Sequence, residues 1–298
     1  MTLGLFGEED EDRSTRNTGR LGGLLRSLMA GIPWSESAEE EELLELPVPR
    51  GAAVLIHNAN GRSNIVGEER ENIEIRAHKS SRAESKAAAQ SMIDEMKLHN
   101  RWSGDHLELD VDIPKKWNRH GRVNLSIRIP TDMRVEVTSA NGRMCLEGIR
   151  GTVRARSSNG SVSVRDVIGD VQVITANAKV RCSNTCGRLV ARSSNGKIEL
   201  GDHCGSVDAS TSNGMIRAAL KEISREGVRL ATSNGRIILE LPEEANGDVD
   251  IRVENGVIRN SRELSGENVA SGGHVRGRLG RGGPPIKLRT SNGTVSVR

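Results

Sequence analysis

The sequence predicts an all-β protein, a right-handed, single-stranded β-solenoid (β-helix) of about 18-residue repeats with one helix in an N-terminal cap. Three observations predict it. The dipeptide Asn-Gly, once Asn-Ala, begins at Asn141, Asn159, Asn177, Asn195 and Asn213 in steps of 18, continues at Asn234 and Asn255 in steps of 21, and returns at Asn292. Six and four residues before each asparagine stand apolar pairs such as Val153/Ala155, Leu189/Ala191 and Ile286/Leu288, the alternation of strands with one buried face. The composition, with 33 Gly, 1 Phe, 3 Trp and no Tyr among 298 residues, suits the narrow interior of stacked repeats better than a bulky globular core.

In chain order, residues 1–42 read as an acidic, mostly disordered head. Residues 1–50 carry 11 acids against 5 Arg, so the overall charge of +3 conceals an acidic start and a basic body. Leu21 to Met29 has the spacing of a short amphipathic helix, with Leu24, Leu25, Leu28 and Met29 as a docking face. The first residues lack the basic and apolar regions of a secretory signal, and no apolar run reaches the ~18 residues of a membrane span. No transmembrane segment is therefore expected, and the chain as written is expected in the cytoplasm, with association with the cell envelope as the alternative.

Residues 43–134 read as an N-terminal β cap. Val54 and Ile56 precede Asn60-Gly61 as a divergent copy of the repeat. Residues 81–98 are rich in helix formers and lack Gly and Pro, which places the one helix there. Leu107 to Ile113 and Val123 to Ile129 alternate again, as two strands that feed the stack and shield its first rung.

Residues 135–298 carry the repeats, each a strand, an Asn-Gly turn, a strand and a Gly turn. A hydroxyl column precedes the asparagines: Ser139, Ser157, Thr175, Ser193, Thr211, Thr232 and Thr290. Stacking at ~4.8 Å would set these hydroxyls and the asparagine side chains above one another, within hydrogen-bonding reach from layer to layer. Asn141, Asn159, Asn177, Asn195, Asn213, Asn234, Asn255 and Asn292 are thus structural turn residues, and the glycine after each is expected to relieve a positive φ. A meander of type I′ hairpins would put the same apolar residues on one face, but only in-register stacking calls for the same residue at the same offset in every unit. Residues 260–285, with Ser271-Gly272-Gly273 and Gly277 to Pro285, read as a mobile Gly-rich loop. Residues 286–297 resume the repeat, so the chain is expected to end on an open-edged strand.

The segments Ser-Ser-Asn-Gly-Ser-Val-Ser-Val (157–164), Ser-Ser-Asn-Gly-Lys-Ile-Glu-Leu (193–200) and Thr-Ser-Asn-Gly-Arg-Ile-Ile-Leu (232–239) resemble the bacterial "putative adhesin" family, domain of unknown function 4097, over about residues 45–298. That resemblance implies a β-strand-repeat domain without known catalysis, often found in exported or membrane-anchored proteins.

No Gly-x-Ser-x-Gly, His-Glu-x-x-His or Gly-x-x-x-x-Gly-Lys motif occurs. The expected function is a non-enzymatic, adhesin-like scaffold or interaction protein, with no cofactor or metal, an unknown protein or polysaccharide partner, and self-association through its end strands. A polysaccharide-active β-helix lyase or hydrolase is the first alternative, hinted at by Asp166 and Asp202 in one column two rungs apart. A binder of anionic polymers through the basic body is the second. Nucleic acid is disfavoured as a partner, because no stacking aromatics interleave the arginines. Cys186 and Cys204 share a column one rung apart, within disulfide reach, while Cys182 fits an apolar column. A zinc set of Cys182, Cys186, His203 and Cys204 has no standard spacing.

Overall fold

The computed structural model describes residues 36–117, 120–270 and 273–298. The stretch 1–35, including the expected helix at Leu21–Met29, lies outside the described residues. The N-terminal elements are β1 (Glu36–Pro47), β2 (Ala53–Asn60), β3 (Ser63–Glu68), β4 (Asn72–Ala83), the helix α1 (Lys86–Glu95), β5 (Lys97–Ser103), β6 (His106–Asp112) and β7 (Gly121–Pro130). The regular units follow as β8 (Arg134–Asn141), β9 (Met144–Glu147), β10 (Val153–Ser157), β11 (Val162–Ile168), β12 (Val171–Thr175), β13 (Val180–Ser193), β14 (Ile198–Asn213), β15 (Ile216–Asn234) and β16 (Ile237–Glu240). The chain closes with β17 (Gly247–Asn260), β18 (Ser265–Ala270), β19 (His274–Leu279) and β20 (Pro285–Val297).

These strands form two rows that share one apolar core. Val135, Val153, Val171, Leu189 and Val207 are successive parallel partners in the first row, and Met144, Val162, Val180, Ile198 and Ile216 in the second. Every residue named in both columns is buried. The regular units therefore pair in parallel, and the hairpin meander does not hold.

Both ends depart from chain order. The earliest unit, β2 with β3, lies between the later β6 with β7 and the first regular unit, β8 with β9. At the other end β20 lies between β15 with β16 and the earlier β17. The last strand is therefore an inner rung and not an open edge. Beyond β6, β7 and the first half of β17, the rows continue with antiparallel strands: β5 on β6, β4 then β1 on β7, and β19 then β18 on β17. An antiparallel outer strand breaks the uniform parallel edge that another chain could extend.

Three further expectations change. The expected disordered head loses residues 36–42 to β1, whose glutamates face a basic stretch of β4: Lys79 Nζ lies 3.1 Å from Glu40 and 3.0 Å from Glu42, and Arg76 lies 3.5 Å from Glu41. The helix spans Lys86–Glu95 and not 81–98, because Ser81 and Ala83 are buried strand positions of β4 and Ser85 caps the helix by accepting from the Ala88 N–H at 3.2 Å. Its Ala89, Met92 and Ile93 cover the core. The expected loop at 260–285 contains the β18–β19 hairpin, held on β17 by strand pairing, by the buried Val275 and Leu279, and by Asp250, which accepts from His274 Nε2 at 2.9 Å.

Candidate functional site

The conspicuous feature of the surface is the asparagine column. Each side chain donates one Nδ2–H to the Oδ1 of the next asparagine, at 2.8–3.1 Å, in the order Asn255, Asn292, Asn234, Asn213, Asn195, Asn177, Asn159, Asn141 and Asn60. All eight turn asparagines stand in this ladder, and Asn60 of the divergent copy extends it. Every amide points the same way, so their dipoles add along the stack.

Beneath the ladder the hydroxyl column is buried. Thr211, Thr232 and Thr290 donate to the carbonyl oxygen of Gly196, Gly214 and Gly235, at 3.1–3.3 Å. Ser157 instead accepts from the Gly160 N–H within its own rung at 2.8 Å, and the Oγ atoms of Ser139 and Ser193 and Oγ1 of Thr175 have no hydrogen-bond partner. Thr211, Thr232 and Thr290 thus fasten rungs through the glycine carbonyls rather than through one another.

Asp166 and Asp202, the carboxylates behind the enzymatic alternative, occupy a corner with Asn184 between them, and all three have φ of 50–54°. Asn and Asp are the residues that tolerate this left-handed conformation, which accounts for their presence there. Asn184 Nδ2 donates to Asp166 at 2.5 Å, and Asp202 faces Lys221 at 3.7 Å.

The cysteines do not assemble a metal cluster with His203. Cys182 is buried in the core, where loss of solvent pushes its thiol up to about 12. His203 is buried, with Nδ1 2.9 Å from the Thr185 hydroxyl and Nε2 3.1 Å from the Ser206 carbonyl oxygen. Cys186 and Cys204 are cross-strand partners with free thiols, their sulfurs 2.9 Å apart in hydrogen-bond contact.

Charge on the second row is largely answered from within. Lys179 and Lys197 are neighbours in the column two residues past the asparagines, and both contact Glu199, as does Arg181 at 2.9 Å. Partial burial works against the Glu199 charge, but the hydrogen bonds from Lys179, Lys197 and Arg181 outweigh it and hold the pKa down to about 2. A depressed carboxylate stabilises the fold fully above its unfolded value of ~4.3, and that contribution is lost as the pH falls through the folded value. Glu199→Gln should therefore lower the melting temperature at pH 6, with the deficit shrinking below about pH 4 and gone near pH 2. Melts of both proteins across this range check it, and a deficit unchanged at the acid end would contradict the pairing.

The arginines at the far end of the ladder were not singled out from the sequence. Arg62, Arg122 and Arg143, with Asn60, Asn124 and Asn141 and the glycines Gly61, Gly121 and Gly142, line an open concavity of about 600 Å³. The signal that could have found them is the same column: Arg62 and Arg143 match Lys179 and Lys197, but Asn64 and Cys145 stand where Glu199 follows Lys197. Among the described residues no helix is long and apolar enough to cross a membrane.

A family model described as Toastrack DUF4097 matches residues 57–298. The crystal structure of a "putative adhesin" from Bacteroides fragilis is similar with a TM-score of 0.53 at 12% identity, over 87% of this chain and 97% of that one. Another "putative adhesin", from Parabacteroides merdae, is similar with a TM-score of 0.49 at 10% identity, over 88% and 96% of the two chains. A comparison with curated proteins gave no match.

Proposed function

The chain belongs to the Toastrack DUF4097 family, and on that premise we propose that it is a non-enzymatic, adhesin-like scaffold, a right-handed solenoid of about 18-residue repeats that presents its outer faces to a polysaccharide or protein partner at the cell envelope. The observation that carries the reading is the ladder of nine asparagines. It devotes the most regular surface of the molecule to joining identical turns. The carboxylates that an enzyme of this shape would group in a groove are instead corner residues with left-handed backbone. Self-association through the end strands belongs to the same reading: Trp102 on β5 is 48% exposed and Val257 on the outermost part of β17 is 52% exposed.

One experiment separates scaffold from enzyme. The full chain is incubated with a panel of immobilised and soluble polysaccharides, and both retention of protein and length of polymer are followed. Retention with unchanged polymer length is the expected result. Shortened chains with new reducing or unsaturated ends would replace the scaffold with a lyase or hydrolase.

A further inference from the structure

We propose that Arg62, Arg122 and Arg143 form a binding site for an anionic polysaccharide in the concavity beside Asn60 and Asn141. This deepens the scaffold reading and rests on it, since it names the ligand class such a scaffold would hold. The pairing of Ser63 with Met144, in which the Ser63 N–H donates to the Arg143 carbonyl oxygen at 3.0 Å, makes Arg62 and Arg143 side-by-side neighbours on adjacent turns, ~4.8 Å apart at the backbone. Arg122 lines the same concavity two residues before Asn124, whose Oδ1 accepts from the Arg62 backbone N–H at 2.9 Å. All three arginines are exposed, and among the described residues none is in an ion pair with a carboxylate.

Two independent features make this cluster a site rather than a solvated face. Like charges directly opposite on paired strands repel. The chain answers that repulsion at Lys179 and Lys197 with Glu199, yet leaves it unanswered at Arg62 and Arg143, where the equivalent positions are Asn64 and Cys145. The ladder supplies the second feature. The eight amides from Asn255 to Asn141 all donate toward Asn60, so their summed dipole turns its positive side toward this concavity.

The shape selects an extended ligand. The concavity is open, its glycines bring backbone close to the surface, and its arginines come from two adjacent turns and the strand β7, an arrangement that suits successive carboxylate or sulfate groups along a glycan. No aromatic residue lines the concavity to stack nucleobases.

The test uses the full chain and heparin, a sulfated polysaccharide, with binding followed by titration calorimetry at moderate salt. The triple variant Arg62→Gln, Arg122→Gln, Arg143→Gln should bind about tenfold more weakly than wild type while melting at the same temperature. The charge-matched control Arg156→Gln, Arg165→Gln, Arg217→Gln, which removes arginines already paired with glutamates, should bind within about twofold of wild type. Equal weakening in both variants would reduce the effect to net charge and overturn the site. Displacement of heparin by low-millimolar inorganic sulfate would assign the arginines to a compact anion, and tighter binding of single-stranded DNA of equal charge would assign them to nucleic acid; either overturns the polysaccharide. Wild-type binding that survives in the triple variant overturns this site while leaving the scaffold reading intact. Wild type that ignores heparin overturns the inference and leaves the scaffold reading to its own panel.

Discussion

Removal of residues 285–298 should collapse the C-terminal end of the stack rather than trim it. In a solenoid built in chain order the last strand is a lid, and its loss costs one interface. Here β20 is an inner rung, paired on one side with β15 and β16 and on the other with β17 along its whole length. Its Ile286, Leu288, Val295 and Val297 are all buried. Burial of four such side chains contributes on the order of 8 kcal/mol, comparable with the total stability of an ordinary domain. The deletion also leaves β17 and its hairpin without the rung they dock on. A chain ending at Pro284 should therefore melt about 15 °C or more below the full chain and expose residues 245–284 to protease. Hydrogen exchange gives the local readout: amides of 228–240 and 249–260 should lose protection while those of 135–175 keep theirs. Preserved protection at 249–260 would mean that β17 pairs directly with β15, and the interleaved order would be wrong.

The sequence revealed what repeats and hid what pairs across distance. The apolar columns and the asparagine column are local signals renewed in each unit, so both were legible, including the parallel register they require. Nothing local says that β20 inserts ahead of β17, or that β2 and β3 lie inside β6 and β7, because the choice of partner strand is made by contacts dozens of residues apart. The same holds for β1. Its run of glutamates reads as a disordered acidic tail until Lys79, Arg76 and His78 are set opposite it. At the start of α1 the helix propensity of residues 81–84 yields to strand pairing with β1 and β7, which reaches Ala83 on one side and Ser81 on the other. In the β18–β19 hairpin, Gly and Arg outnumber the buried Val275 and Leu279, so alternation was too faint to outweigh the turn signals. The arginine cluster was legible in principle, since it is an exception within a column, but an exception is visible only once the column is known to pair.

Gly160→Ala should be a strongly damaging single methyl in the turn column, although no positive φ calls for glycine there. The glycine after each asparagine was expected to relieve positive φ, and at Gly61, Gly256 and Gly293 φ is indeed 135–152°. Gly142, Gly160, Gly196, Gly214 and Gly235 are not among the positive-φ residues, so a different constraint holds them. A Cβ on Gly160 would run into the carbonyl oxygen of Gly142 on the rung below, and the same overlap recurs at Gly142 on Gly61 and at Gly214 on Gly196. At these positions the glycines let successive turns touch at backbone level. An added methyl must push rungs apart, breaking the ladder locally and opening the packed columns beneath, at about 3 kcal/mol. That corresponds to a fall of roughly 6–12 °C in melting temperature. Ala178 is the internal control, because its rung already carries a methyl at this position. Ala178→Gly removes that methyl and adds freedom to the unfolded chain, so its effect should stay below about 1 kcal/mol. Paired thermal melts decide the matter: if Gly160→Ala melts no lower than Ala178→Gly, the turns have slack, and backbone contact is not what sets the spacing of the stack.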